Sequence, residues 1–155
     1  MDVRPLDVQD LELICRHREA MFREAGRDEA TLRTMTTHFR GWLEPRLANG
    51  AYFGYVMSEH GVAVAGIGLM LIDWPPHPMH PETGQRGYVL NVYVEQCARR
   101  RGLARTLMQL ADEEFARRGV KYAILHATEQ GRPLYERLGW SGTTEMAKTH
   151  PTTPA

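Results

Sequence analysis

Residues 88–115 decide the fold of this chain, and they read YVLNVYVEQCARRRGLARTLMQLADEEF. The segment begins with the apolar run 88–94, which is typical of a buried strand. A turn rich in arginine follows, and an amphipathic helix begins directly after it. Apolar residues recur along this helix at helical spacing: Leu103, Leu107, Leu110, Ala111 and Phe115. Because Gly119 supplies the usual residue beyond a helix end, the segment predicts a strand, a tight turn and a helix.

The remaining elements predict a mixed sheet around this unit. Before it, the sequence indicates a strand at 3–6, helices at 7–25 and 28–47, and strands at 51–58 and 62–72. After it come a strand at 121–127, a short helix at 133–138 and a last strand at 143–148. The hairpin at His60-Gly61 predicts antiparallel pairing, and the later strand–helix–strand unit predicts a parallel pair. We expect one α/β domain over residues 1–155, with a mixed, mostly antiparallel sheet, helices on both faces and the order β-α-α-β-β-β-α-β-α-β.

The composition is that of an ordinary globular domain. Of 155 residues, 43% are hydrophobic and 25% are charged, and 19 basic residues balance 19 acidic ones. Zero net charge argues against a nucleic-acid-binding domain built on residues 99–105. Cys15 and Cys97 lack metal-ligand spacing, so we expect no metal. The chain shows no signal-peptide pattern, and its longest apolar stretch, 62–72, is too short to span a bilayer, so we expect a cytoplasmic protein without a membrane partner.

The turn Arg99-Arg100-Arg101-Gly102-Leu103-Ala104 has the composition of an anion-binding site. A helix start presents free N–H groups and partial positive charge, and a glycine lets a ligand approach the backbone. The arginines add further positive charge. The spacing is neither that of a Walker A loop nor that of the GxGxxG fingerprint. From these residues alone, a pyrophosphate site and a solvated turn are equally compatible with the sequence.

Two motifs in this part of the chain resemble the GNAT superfamily of N-acetyltransferases. The pattern Arg99-x-x-Gly102-x-Ala104 after a strand is similar to the family's acyl-CoA motif, (Q/R)-x-x-G-x-(G/A). The segment Leu134-Tyr135-Glu136-Arg137-Leu138-Gly139-Trp140 is similar to its LYE-(K/R)-LGF signature. The resemblance covers residues 88–140 and implies a GNAT-like acyltransferase fold. It also implies that an acetyl group moves from acetyl-CoA to a primary amine by direct attack in a ternary complex.

The resemblance implies roles for individual residues. The backbone of Val92 and Val94 would hydrogen-bond the pantetheine arm and the acyl carbonyl. Tyr135 would lie near the CoA sulfur and protonate the leaving thiolate. Many members have asparagine seven residues before this tyrosine, whereas Thr128 here offers a hydroxyl to the pantetheine or to a water. The pyrophosphate would lie on the segment that the first motif opens: Arg99, Arg100, Arg101, Gly102, Leu103, Ala104 and Arg105.

The general base and the acceptor are less well determined by the sequence. Glu82 and His80, on the proline-rich loop before residues 88–94, are the best candidates for the base, although each is otherwise an ordinary loop residue. We expect the first two helices and this loop to select the acceptor, a small-molecule amine or a peptide or protein amine. A homodimer is compatible with the resemblance. A non-catalytic acyl-CoA-binding module stays an alternative, because no base is evident.

Overall fold

The centre of the structure, a computed structural model that describes residues 1–152, is a five-stranded sheet. Its strands lie in the order of the chain: β1 (Asp2–Pro5), β2 (Tyr52–Glu59), β3 (Val62–Asp73), β4 (Gln85–Val94) and β5 (Ala123–Leu125). The first four are antiparallel to their neighbours, and β5 is parallel to β4. The prediction of a mixed, mostly antiparallel sheet is therefore confirmed, while residues 153–155 of the predicted domain lie outside the described residues.

Helices cover both faces of this sheet, as predicted. They are α1 (Leu11–Glu24), α2 (Glu29–Asn49), α3 (Leu103–Arg117) and α4 (Arg132–Arg137). On one face, Ile14 of α1 and Leu43 of α2 pack with Tyr52 of β2 in one buried cluster. On the other face, Leu107 of α3 belongs to a larger cluster that includes Val89 of β4, and Tyr135 of α4 packs against it. The three long helices α1, α2 and α3 thus each bury one apolar stripe against the sheet.

Short polar residues and glycines set the ends of the first two helices. Asp7 and Asp10 form a capping box around a short 3-10 turn that leads into α1, and the Asp10 carboxylate accepts the Asp7 amide at 2.9 Å. The Asp28 carboxylate accepts the Thr31 amide at 2.9 Å and starts α2. Gly50, with φ of 80°, ends α2 in the left-handed region. These local signals explain why the sequence placed both helices within a few residues of their observed ends.

The predicted strand at 143–148 does not form, and the observed element order is β-α-α-β-β-β-α-β-α. Residues 143–148 have no strand or helix in the structure and all are exposed. The run contains one large apolar side chain, Met146, which is 93% exposed. A strand gains little stability without an apolar face to bury, so the alternation in this segment was insufficient to add it to the sheet.

Candidate active site

A cleft of about 1000 Å³ opens where β4 and β5 separate. The two strands pair only over residues 87–89 and 123–125, and β4 continues to Val94. Residues 90–94 therefore have an open edge on the side where β5 would otherwise continue. The other walls come from α1, the start of α3, the segment after β5 and α4. The cleft thus lies at the end of the one parallel strand pair in the described sheet.

A β-bulge at Asn91 determines which backbone groups face this cleft. Asn91 has φ of 54°, and the pairing of β3 with β4 shifts register between Gly66 and Gly68. Beyond the bulge Tyr93 pairs with Gly66. Because alternate residues of a strand bond to opposite neighbours, the residues that flank Tyr93, including Val92, present their amide and carbonyl groups to the open side.

The start of α3 offers free amides to the same cleft. Gly102 precedes the helix with φ of 76°, a left-handed conformation that glycine adopts without steric cost. No side chain caps the helix, and the first bond into it runs from the Thr106 amide to the Gly102 carbonyl at 3.1 Å. The amides of Leu103, Ala104 and Arg105 therefore have no intrahelical acceptor. With the positive end of the helix dipole, these free amides have the features that favour anion binding, and the pyrophosphate site stays a prediction from the sequence.

The first arginine of the turn fixes the turn to α1. Both oxygens of the Glu24 carboxylate accept from Arg99 Nη2, at 2.8 and 2.9 Å, and the Val94 carbonyl accepts from Arg99 Nε at 2.9 Å. The Tyr93 hydroxyl donates to Glu24 at 3.0 Å. Burial works against ionisation of the Glu24 carboxyl, but Arg99 and Tyr93 lower its pKa overall. Burial and this carboxylate raise the pKa of Tyr93 to about 12. Arg99 is thus a neutralised, structural residue.

Of the other three arginines in this segment, Arg101 is paired with a carboxylate, whereas Arg100 and Arg105 have no such partner among the described residues. Arg101 forms two hydrogen bonds with the Glu59 carboxylate, at 2.7 and 3.0 Å, and holds the turn to β2. Arg100 and Arg105 form no ion pair within residues 1–152, and both line the cleft. Arg100 also adopts a left-handed φ of 63°, which is costly for a residue with a Cβ. The charge available to an anion therefore comes from two of the four arginines.

On the opposite wall, α4 carries the predicted tyrosine. Tyr135 lines the cleft, and its hydroxyl has no hydrogen-bond partner in the described part of the chain. Burial raises the pKa of this phenol, so it is a neutral proton donor at neutral pH. Thr128 also lines the cleft, and its hydroxyl accepts the Gly131 amide at 3.1 Å ahead of the helix. That hydroxyl keeps its own proton free to donate to a ligand.

A buried polar network, which sequence reasoning missed, lies on the α1 side of the bulge. The Asn91 side chain donates to the Tyr52 hydroxyl at 2.9 Å and accepts from Arg18 Nη1 at 2.7 Å. The Arg18 guanidinium lies over the rings of Phe22 and Phe39, with its central carbon 5.1 and 4.7 Å from their centroids. A signal was present in the sequence, because Arg18 interrupts the apolar stripe of the first helix at a position that should be hydrophobic.

The structure does not bring His80 and Glu82, the sequence-based candidates for the general base, to the cleft. His80 is 1% exposed, its Nε2 accepts from Arg86 Nε at 3.0 Å, and its Nδ1 donates to the Thr83 carbonyl at 2.9 Å. Both nitrogens are therefore engaged in holding the proline-rich loop to the start of β4. The cleft lies at the other end of this strand, and neither residue lines it.

Other acid–base side chains do line the cleft. Glu24 is held by Arg99 and Tyr93, as described above. His126 follows β5 directly, with its ring 5.8 Å from that of Tyr88. His126 and Glu129 form no ion pair within the described residues.

Residues 1–152 contain no cluster of three or more His, Cys, Asp or Glu side chains arranged to hold a metal ion. None of the described helices combines the length and the apolar character needed to cross a bilayer.

Comparison with known proteins identifies the family. A model of the acetyltransferase (GNAT) family matches residues 12–140. A GCN5-related N-acetyltransferase from Ralstonia eutropha is 61% identical, with a TM-score of 0.95 over 96% of this chain and 97% of that one. The chain therefore belongs to the GNAT family of acetyltransferases, and it is an acyl-CoA-dependent N-acetyltransferase.

More distant structures share the fold. A predicted acetyltransferase from Clostridium acetobutylicum, solved with acetyl-CoA, is 24% identical, with a TM-score of 0.88 over 96% of this chain and 95% of that one. The glucosamine-6-phosphate N-acetyltransferase from Arabidopsis thaliana is 17% identical, with a TM-score of 0.65 over 96% and 97% of the two chains. Comparison with curated protein sequences gives no significant match.

Proposed function

We propose that the chain transfers the acetyl group of acetyl-CoA to the primary amine of an acceptor by direct attack within a ternary complex. The observation that carries this proposal is the open edge of β4, which lies between the uncapped start of α3 and the phenol of Tyr135. The Clostridium acetobutylicum relative was solved with acetyl-CoA, which supports this choice of acyl donor.

The residues of the cleft fit a long anionic thioester. The backbone of Val92 and Val94 would hold the pantetheine arm and the acyl carbonyl, and the Thr128 hydroxyl would donate to the same arm. Arg99 would act indirectly, because its ion pair with Glu24 fixes the turn. Arg101, which the sequence also assigned to the pyrophosphate, would likewise act indirectly through its hydrogen bonds with Glu59. The pyrophosphate would lie on the residues that line the cleft: Arg100, Gly102, Leu103, Ala104 and Arg105.

Transfer requires the acceptor nitrogen to form a bond to the acyl carbon while the carbon–sulfur bond breaks. Amides on the open edge of β4 would stabilise the negative charge that develops on the acyl oxygen. Tyr135 would give its phenolic proton to the departing sulfur, and its raised pKa means that the phenol still holds this proton at neutral pH. Solvent then returns a proton to the phenol, and the products are the N-acetylated amine and free CoA.

The attacking amine must also lose a proton. His126 and Glu129 replace His80 and Glu82 as candidates for this step, because they line the cleft and form no ion pair within residues 1–152. Water in the open mouth of the cleft is a third acceptor for the proton. The location in the cytoplasm and a homodimer stay predictions from the sequence.

The proposal is tested by measuring free-thiol release from acetyl-CoA with a panel of primary amines, for wild type and Tyr135→Phe. Loss of the proton donor should lower kcat about 100-fold or more. The thermal stabilisation given by acetyl-CoA should not change, because the ring still packs. The matched control is Tyr122→Phe, since Tyr122 is partly buried at the other end of β5, beside His80.

Two results would contradict the proposal. If acetyl-CoA and CoA give no thermal stabilisation, the cleft is not their site. If acetyl-CoA stabilises the wild-type protein but no amine yields thiol, the chain is a binding module without turnover.

A further inference from the structure

Within residues 1–152, Arg18 is a cation without an anionic partner on the α1 wall of the cleft. It lies on α1 and lines the cleft, and its one hydrogen bond within residues 1–152 goes to the Asn91 amide oxygen at 2.7 Å. Its Nε is buried and has no hydrogen-bond partner. None of the described carboxylates forms an ion pair with it. All other arginines that α1 contributes, Arg16 and Arg23, do have carboxylate partners.

The surroundings of Arg18 give its charge little compensation. Burial lowers the pKa of the guanidinium, and among the described residues the titratable neighbours that act on it are Tyr52, Tyr88 and Cys15. Burial raises the pKa of all three, so they are neutral at physiological pH. An arginine keeps its charge even when buried. A buried charge of this kind is costly unless a partner is supplied, and in this cleft the partner can come with the substrate.

We propose that Arg18 binds the carboxylate of the acceptor, so that the substrate is a small amino acid or another short amine that carries a carboxylate. This inference rests on the proposed acetyl transfer. A guanidinium presents parallel N–H donors that match the two oxygens of a carboxylate. The Nη2 of Arg18 forms no hydrogen bond within the described residues and, unlike Nε, is not buried, so a carboxylate in the cleft would supply it with an acceptor and with the opposite charge.

The position of Arg18 limits the size of the acceptor. Arg18 is hydrogen-bonded to the Asn91 side chain. Asn91 directly precedes Val92, and the backbone of Val92 faces the place proposed for the acyl carbonyl. A carboxylate on Arg18 therefore leaves room for a few bonds before the amine nitrogen must meet the thioester. The rings of Phe22 and Tyr88 line the same part of the cleft and suit the apolar portion of such a molecule.

A carboxylate fits this site better than a phosphate. Arg18 supplies one positive charge, and the aromatic rings of Phe22 and Phe39 flank it. A phosphate monoester, with close to two negative charges, is usually met by more than one cation or by a row of free amides. In this cleft the free amides lie at the start of α3, where the pyrophosphate of the donor is proposed to bind.

The experiment compares kcat/KM for matched acceptors: α-amino acids, their carboxamides, the corresponding amines without a carboxyl group, and aminophosphonates. Wild type should prefer the acid over its carboxamide by about 10- to 100-fold, as expected for a hydrogen bond to a charged group. Intrinsic reactivity works in the opposite direction, because a neighbouring carboxylate raises the pKa of the ammonium group and leaves less free amine. A preference for the acid must therefore come from binding.

Variants locate the preference at Arg18. Arg18→Met should abolish the ratio between acid and carboxamide, and Arg18→Lys should keep part of it. Arg33→Met is the matched control, since Arg33 is exposed on α2 and outside the cleft, and its ratio should equal that of wild type. Retained stabilisation by acetyl-CoA would show that Arg18→Met is folded. The ratio in wild type tests the inference even if this variant does not fold.

The outcomes separate this inference from the proposed function. Thiol release with no preference for carboxylates, or an unchanged ratio in Arg18→Met, would overturn the role of Arg18 and leave acetyl transfer intact. A preference of more than about tenfold for aminophosphonates would assign the site to phosphate instead. Absence of thiol release with every acceptor would refute the proposed function itself.

Discussion

Replacing Gly102 by alanine should weaken acetyl-CoA binding, whereas the same replacement at Gly119 should not, so the chain contains its own control. Gly102 and Gly119 lie at the two ends of α3, with φ of 76° and 72°. At both positions an added Cβ would meet no atom within 4 Å. Both substitutions therefore carry the same conformational penalty and no clash, but only Gly102 adjoins the cleft.

The expected magnitudes follow from these two φ values. Holding alanine in the left-handed region costs about 1–2 kcal/mol, which for a chain of this size lowers Tm by about 2–8 °C. The loss should be nearly equal in Gly102→Ala and Gly119→Ala. At a ligand concentration of about 100 times Kd, acetyl-CoA should add about 2.7 kcal/mol to the free energy of unfolding of wild type and raise its Tm accordingly. If the variant turns one amide away from the pyrophosphate, Kd rises about tenfold or more, and at least about half of that stabilisation is lost.

The assay is thermal unfolding of the three proteins with and without acetyl-CoA at one fixed concentration. Gly119→Ala should show a lowered Tm but the same ligand-induced shift as wild type. Gly102→Ala should show the lowered Tm and a smaller shift. Equal ligand-induced shifts in the two variants would refute the reasoning, because the amides at the start of α3 would then not bind the cofactor.

Two further predictions concern residues outside the cleft. His80→Ala should lower the free energy of unfolding by about 1–3 kcal/mol, because it leaves the buried Arg86 donor without its acceptor, whereas Glu82→Gln should have no effect on stability. In both variants kcat of the folded enzyme should stay within about twofold of wild type. A loss of about 100-fold in kcat would instead support the sequence-based assignment of the general base. Asp10→Asn should destabilise the protein by about 1–2 kcal/mol at pH 7 in urea unfolding, since Asp10 accepts two hydrogen bonds from Arg4, at 2.8 and 2.9 Å. Burial opposes ionisation of Asp10, but these bonds lower its pKa overall, so the stabilisation is complete above the unfolded pKa near 3.9 and is lost as the pH falls through the folded value. The difference between variant and wild type should therefore shrink below about pH 4, and a constant difference would contradict the ion pair as its cause.

Local signals explain why much of the fold could be predicted. Caps such as Asp7 and Asp28 and the glycines at helix ends are read from neighbouring residues alone, as is the hairpin at His60-Gly61. The stripe on α3 is equally local. The error at 143–148 has the opposite origin, because membership in a sheet depends on burial against other elements, and a short alternating run gives no information about that.

Two short motifs singled out Tyr135 and the turn that is proposed to bind the cofactor, but they did not show which arginines of the turn are paired with carboxylates. Which arginine is neutralised depends on Glu24 of α1 and Glu59 of β2, which are distant in sequence and adjacent in space. The same limit applies to His80. A histidine beside a strand suggests a base, and only the positions of Arg86 and Thr83 show that both its nitrogens are occupied.

The bulge at Asn91 connects the two halves of the site. Its left-handed φ is uncommon for a residue with a side chain, although asparagine tolerates it better than most. Two hydrogen bonds hold the Asn91 side chain in place: it donates to the buried Tyr52 hydroxyl and accepts from Arg18. Because of the bulge, the backbone of Val92 faces the cleft. The Asn91 side chain also holds Arg18 beside this part of the strand. Asn91 thus positions both the edge proposed to bind the thioester and the cation proposed to bind the acceptor, and the proposal gives Arg18 a function within the otherwise apolar stripe of α1.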